Sequence, residues 1–143
     1  MTGLEYDYKA KKTRVEHSVG GLEGIVVEYD SRREAGLGML LDREGIGFTP
    51  HEEYDVIDRE GASHVYEVDF DLHRPHKLKG ISHPVSFLEY KGVFKQRDKE
   101  RMDWLEFATD RNGYIVNGTN LLKYWDEHGM KDAKYKNGGQ SYE

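Results

Sequence analysis

Apolar and polar positions alternate most clearly between His64 and Gly92. Over His64–Leu72 a period of two puts Tyr66, Val68, Phe70 and Leu72 on one face and Glu67, Asp69 and Asp71 on the other. Over Val85–Gly92 the same period groups Val85, Phe87, Glu89 and Lys91 against Leu88 and Tyr90. Both stretches read as strands. As neighbours they bring Asp69, Glu89 and Lys91 to one place beside an apolar body. Charges at the ends of otherwise core-like strands are costly unless a cation or a substrate uses them.

The flanking pattern fills in the other elements. Leu22–Tyr29 reads as a strand, with Val15–Val19 as its hairpin partner across a Gly20-Gly21 turn. A helix opens at Asp30-Ser31 and runs to about Glu44, where Gly45 stops it. Its buried stripe is Leu37, Leu40 and Leu41, and Gly36 and Gly38 permit close packing. Ser31 and Glu34 have the spacing of a capping box, which by itself accounts for Glu34. Gly47–Ile57 reads as a strand that turns at Asp58–Gly61 into a hairpin with His64–Leu72. Glu52, Glu53 and Asp55 form its exposed polar edge. Arg97–Phe107 is helical, with Met102, Leu105 and Phe107 or Ala108 facing inward and Trp104 on a flank. Gly113–Asn117 is a short strand of the kind buried inside a sheet, and Thr119 caps a last helix carrying Leu121, Leu122 and Trp125 to His128-Gly129. This order predicts an α/β (α+β) fold, a central mixed sheet flanked by helices, in one domain over 1–143. Its parts are an N-terminal arm and strand (1–30), a core (31–130) and a polar tail (131–143).

Composition narrows the chemistry. A chain of 143 residues buries roughly two-thirds of its unfolded surface. With 34% charged and 36% hydrophobic residues, the core is compact and the surface very wet. The absence of cysteine excludes disulfides, thiolate zinc sites and cysteine nucleophiles. No apolar run approaches ~18 residues and no secretory h-region is present, so a soluble, cytoplasmic protein without membrane contact is expected. A net charge of −6 argues against a histone-like DNA binder. It is compatible with a metal-dependent site, whose bound ions reverse the local sign.

Basic residues gather in three places. The run Lys9–Arg14, with Lys11, Lys12 and Arg14, is either a solvated edge or an arm that contacts phosphates. The stretch Leu72–Pro84 reads as a basic loop in which Arg74, Lys77 and Lys79 are candidate phosphate contacts, against an ordinary exposed loop. His73 and His76 have zinc-like spacing, but Pro75 lies between them and no further ligand pair completes a tetrahedral set. Lys95, Arg97, Lys99 and Arg101 either line a groove near Lys91 or belong to a solvated helix face.

Val68-Asp69-Phe70 followed by Glu89-Tyr90-Lys91-Gly92 resembles the PD-(D/E)XK nuclease superfamily, with Val68 where the family often has Pro. The order of elements is similar too: a helix with Glu34, then Gly45-Ile46-Gly47-Phe48, a strand, a turn, the Asp strand and the Glu-x-Lys strand. Within the superfamily the chain looks most like the phage endonuclease I type, which resolves four-way DNA junctions. That likeness spans residues 31–130 and leaves the N-terminal hairpin out. It implies a restriction-endonuclease-like core and Mg²⁺-dependent hydrolysis of DNA phosphodiesters, with Mn²⁺ able to substitute. It implies that Asp69, Glu89, the backbone carbonyl of Tyr90 and Glu34 hold metal, and that Lys91 orients and helps deprotonate the attacking water or stabilises the phosphate. A homodimer, in which an N-terminal strand can be exchanged, is also implied. Two other readings stay open. One is a sequence-specific restriction or homing endonuclease on the same core. The other is a non-catalytic acidic interaction protein in which Glu89 and Lys91 form a surface ion pair.

Overall fold

The computed structural model describes residues 3–7, 12–17 and 26–132. In chain order the elements are β1 (Gly3–Asp7), β2 (Lys12–Glu16), β3 (Val26–Tyr29), α1 (Arg32–Arg43), β4 (Phe48–Ile57), β5 (Ser63–His76), β6 (Val85–Lys91), α2 (Gln96–Thr109), β7 (Gly113–Asn117) and α3 (Asn120–His128). Strands β1-β2-β3 form an antiparallel sheet, and β4-β5-β6-β7 form a mixed one. In the mixed sheet β4, β5 and β6 are antiparallel neighbours, whereas β7 returns parallel to β6 after the α2 crossover. The α+β expectation is therefore met. No described helix is long and apolar enough to cross a membrane.

Local chemistry sets the ends of α1. Ser31, in extended backbone, accepts a hydrogen bond on Oγ from the Glu34 N–H at 3.1 Å. At the other end Gly45 takes φ 70°, its N–H bonds the Asp42 carbonyl, and the Ile46 N–H bonds that of Leu41. This left-handed closure satisfies the last carbonyls and favours glycine. The helix buries Ala35, Leu37, Leu40 and Leu41 against β2, β3 and the start of the mixed sheet. Gly38 admits the Tyr29 ring, since a Cβ there would stand 2.5 Å from its hydroxyl oxygen. Gly36 meets nothing within 4 Å, so the expected close approach is made by Gly38 alone. Gly38→Ala is expected to lower stability by about 1–3 kcal/mol through overpacking. Gly36→Ala should raise it by about 0.5–1 kcal/mol, from helix propensity. Urea midpoints of the two variants that moved in the same direction would contradict this packing account.

Two buried clusters lie on opposite sides of the mixed sheet. Phe48, Phe70 and Leu72 join the cluster built on α1, whereas Tyr54, Val56, Tyr66 and Val68 join Phe87, Met102 and Leu105 beneath α2. Tyr66, Val68, Phe70 and Leu72 therefore do not share one face. The alternation breaks where Pro50↔Phe70 and Glu52↔Val68 bracket His51 and Asp69, and His51 sits at φ 56°. A left-handed residue in a strand bends it and re-aims its neighbours, so the β4–β5 ribbon changes the core it serves at that level.

Other departures from the sequence pattern have long-range causes. β5 continues to His76, so residues 73–76 are strand, with an irregular register between Asp71 and His76. Phe107 is 91% exposed and Ala108 is also exposed, because helical phase gives the inner face of α2 to Met102 and Leu105. The Gly20-Gly21 turn, residues 22–25 and the tail from 133 lie outside the described residues. The expected hairpin is present in its described part as β2 against β3.

Candidate metal centre

Asp69 and Glu89 meet where β5 and β6 part. Pairing of Phe70 with Leu88 sets the antiparallel register and places Asp69 across from Glu89. At that level side chains replace backbone acceptors. The Asp69 N–H donates to Glu89 Oε1 at 2.6 Å, and the Tyr90 N–H donates to Asp69 Oδ2 at 2.8 Å. Each carboxylate thus satisfies an amide that the ladder would otherwise have paired. In an extended strand the C=O of a residue points to the same side as its N–H, so the Tyr90 carbonyl also faces the Asp69 side. Lys91, one pleat beyond Glu89, places Nζ 3.9 Å from Glu89 Oε2 and 3.8 Å from Asp98 Oδ1. Asp98 in turn accepts from the Lys95 N–H at 2.9 Å and closes the start of α2.

Glu34 comes from the first turn of α1. Ser31 supplies its half of the cap, but the Glu34 carboxylate turns to the Asp30 N–H and toward Asp69. The capping and site roles therefore do not compete. Glu34 is 4% exposed, and its Oε2 is buried without a hydrogen-bond partner. Burial, then the charges of Asp69 and Asp30, push its carboxyl up to about 8. Burial, then Asp69, push Glu89 up to about 8, against the Asp69 N–H, Lys91 and the Tyr66 hydroxyl, which favour its charged form. Burial raises Asp69 to about 6 against the pull of the Tyr90 N–H, Lys91 and His51. Two carboxylates ~4 Å apart repel by ~4 kcal/mol at an effective dielectric of 20. The cluster as it stands is short of positive charge.

Two clefts open onto these groups. One, of about 370 Å³, is walled by Tyr66, Asp69, Glu89, Lys91, Asp98 and Arg101 among others. The second, of about 560 Å³, runs past the N-terminus of α1, along Arg32, Arg33 and Glu34 to Tyr90 and Gly92. Asp30, Asp69 and Lys91 line both, so the carboxylates are reached from two directions.

Comparison with family models, with curated proteins and with solved structures gives no match. Geometry and chemistry alone bear on what the site does.

The expected residues meet around Asp69 and Lys91: Glu89 and Arg101 share one cleft with them and Glu34 and Tyr90 the other, and among the described residues the ligand atoms of Glu34 and Asp69 group with His51, not with Glu89. The expected phosphate contacts fare differently. Lys77 is 8% exposed and bonds the Leu78 carbonyl and Asp132, so it is a buried structural cation and cannot serve as a surface contact. Lys77 does lie in the loop after β5, but its burial is invisible to the sequence pattern because its partner Asp132 is 55 positions away. Lys79 donates to the His128 carbonyl at the end of α3. Arg14 is paired with Glu28 at 2.9 Å, whereas Arg74, Lys95 and Arg97 are exposed. Lys11 and the side chain of Lys12 lie outside the described residues. His73 and His76 join no metal-ligating group among the described residues.

Sequence reasoning missed His51, Tyr66 and Asp98. Tyr66 hydrogen-bonds Glu89 and lies beneath the Arg101 guanidinium, 5.1 Å from the ring centroid. A period-two pattern places Tyr66 on an apolar face, where it is, but carries no mark of the face change at Asp69 that brings its hydroxyl to Glu89. His51 had a faint signal in Pro50, which in a strand points to an edge or a bulge.

Proposed function

We propose that this chain is a metal-dependent endodeoxyribonuclease of the PD-(D/E)XK kind, acting on branched DNA. One observation carries the reading. The succession α1-β4-β5-β6-α2-β7 sets Asp69 across from Glu89, with Lys91 one pleat on and the buried Glu34 carboxylate beside them. Glu34 Oε2 is a buried oxygen without a donor, in a cluster whose carboxyls are raised by burial and by one another. A divalent cation relieves both conditions, and a donor set rich in carboxylate and carbonyl oxygens suits Mg²⁺. Asp69, Glu89, Glu34 and the Tyr90 carbonyl would hold it. When bound, such an ion supplies Lewis-acid stabilisation of phosphate charge and a more acidic water.

The chain's own groups do the rest. Lys91, held between Glu89 and Asp98, offers its ammonium to the attacked phosphate or to the water that attacks it. Asp98 keeps that ammonium over the cleft, and Tyr66 steadies Glu89. Water displaces the 3′-oxygen in line, leaving a 5′-phosphate and a 3′-hydroxyl. The burial of Glu89, 3% exposed, sits poorly with the alternative of a surface ion pair.

The test is incubation with supercoiled plasmid, linear duplex and a four-way junction, each with Mg²⁺ or with EDTA. Cleavage of the junction in preference to the duplexes, and only with Mg²⁺, is the expected result. Cutting of linear duplex at one sequence would replace the branched substrate by the restriction-type reading. Intact DNA in every lane would overturn the nuclease proposal.

A further inference from the structure

Among the described residues, one group of three His or carboxylate side chains has ligand atoms that all lie within 4.8 Å of one another: Glu34, His51 and Asp69. We propose that His51 is a ligand of the metal site, and that its nitrogen makes the site prefer a first-row transition ion such as Mn²⁺ to Mg²⁺. This rests on the metal-centre reading above and adds a donor that the resemblance does not supply.

Three observations besides the cluster carry it. The first is the buried, unpartnered Oε2 of Glu34, which lies beside the His51 ring. The second is backbone strain. Among the described residues His51 is one of two non-glycine residues at positive φ, and it adopts that conformation inside β4, across from Asp69. A left-handed non-glycine residue in a strand persists only where its surroundings impose it, and such residues gather at ligand sites. Here the bend swings the imidazole off the edge strand and in among Glu34, Asp69 and Glu67. The third is orientation. Nε2 lies 2.8 Å from the Glu28 carbonyl oxygen, which can only accept. That bond puts the ring hydrogen on Nε2, so the donor lone pair is on Nδ1, the nitrogen 3.5 Å from Glu67 Oε2. A ring nitrogen bonded to a backbone carbonyl while the other coordinates is the usual setting of a metal-bound histidine.

Nitrogen donors discriminate between ions. Mg²⁺ prefers oxygen and gives up its waters reluctantly, whereas first-row transition ions accept imidazole readily. Replacing one oxygen by His51 therefore tilts selection without excluding Mg²⁺.

Mn²⁺ alone, without DNA, is the probe. Binding is followed by loss of the free-ion paramagnetic resonance signal, and bound Mn²⁺ is examined by pulsed resonance for ¹⁴N coupling. The coupling should be present in the wild-type protein and should change on ¹⁵N-histidine labelling. Mn²⁺ should bind at least ~10-fold more tightly than Mg²⁺, as Mg²⁺ displacement reads it. In His51→Asn, a residue that tolerates positive φ, the coupling should vanish and Mn²⁺ affinity should fall ~10-fold or more, with Mg²⁺ affinity little changed. The labelled wild-type spectrum decides the matter even if the variant does not fold. Absence of Mn²⁺ binding, bound Mn²⁺ without histidine coupling, or an unaltered spectrum in a folded His51→Asn protein would each overturn the assignment. DNA cleavage is scored separately. Histidine coupling in a protein that cuts no DNA retains His51 as a ligand and removes the nuclease reading, and cutting without coupling does the reverse.

Discussion

Asp69→Asn, Glu89→Gln and Lys91→Ala are each expected to lower DNA cleavage by ~10²–10³-fold, the scale on which removing one charge-stabilising group acts. The three should differ in a second measurement. Asp69→Asn and Glu89→Gln remove charge from the cation site, so the rise in melting temperature with Mg²⁺ or Mn²⁺ should shrink along with activity. Lys91→Ala should leave that rise intact, or enlarge it, because it removes a competing positive charge near Glu89 Oε2. Fold is not at issue in the two amide variants. Asparagine at 69 still offers an oxygen to the Tyr90 N–H, and glutamine at 89 one to the Asp69 N–H. Asp69→Ala is a poorer test. It strands a buried amide at a cost of about 1–3 kcal/mol, and it would confound lost catalysis with lost structure. Wild-type cleavage in any of the three would remove that residue from the proposed machinery.

Why these three residues were legible and their neighbours were not has a physical answer. Asp69, Glu89 and Lys91 occupy strands whose period-two pattern survives on β6, and the spacing of Glu89 and Lys91 across one pleat can be read without knowing the partner strand. Register did the remainder, since Phe70 opposite Leu88 places the two acids together. Helix α1 was equally legible, because its cap at Ser31 and its stop at Gly45 are local events. Glu34 could be placed only in space. A capping box and an inward-facing carboxylate demand the same residue at the same helical position, and the deciding bond to the Asp30 N–H leaves no trace in composition. His51 and Tyr66 were hidden by a single event, the left-handed residue that swaps the face of the ribbon. Lys77 was hidden by distance along the chain, and Phe107 by the choice of helical phase, which packing against β4 and β7 settles.

The second large effect is on stability, and it is opposite in sign to ordinary acid denaturation. Glu34 and Glu89 are raised from 4.5 to about 8, and Asp69 from 3.8 to about 6. A group whose pKa is higher in the folded state stabilises fully below its unfolded pKa and loses that contribution as pH rises through the folded value. These carboxyls therefore stabilise the metal-free fold in full below about pH 4 and lose that contribution progressively above it, up to about pH 6 for Asp69 and about pH 8 for the two glutamates. His17 and His76, whose pKa values are lowered chiefly by burial, act the other way. Their contribution is present above their unfolded value of 6.5 and is lost as pH falls, toward about 4 for His76. With EDTA, the two sets of groups oppose each other between about pH 4 and 6.5, and above that only the carboxyl loss remains, so stability should decline by roughly a few kcal/mol from pH 6.5 to pH 8. A divalent ion replaces the protons that hold the cluster together. Its stabilisation, about 2.7 kcal/mol at a hundredfold excess over the dissociation constant, should consequently be larger at pH 8 than at pH 5. Glu34→Gln and Glu89→Gln should flatten the decline between pH 6 and 8 and blunt the response to metal, while leaving the acid limb, which belongs to the histidines, where it is. Thermal melts from pH 4 to 8.5, with EDTA or with Mn²⁺, read all of this at once. A metal-free protein that grows steadily more stable from pH 6 to pH 8 would mean that the three carboxyls do not share the buried, mutually repelling environment on which the metal centre depends.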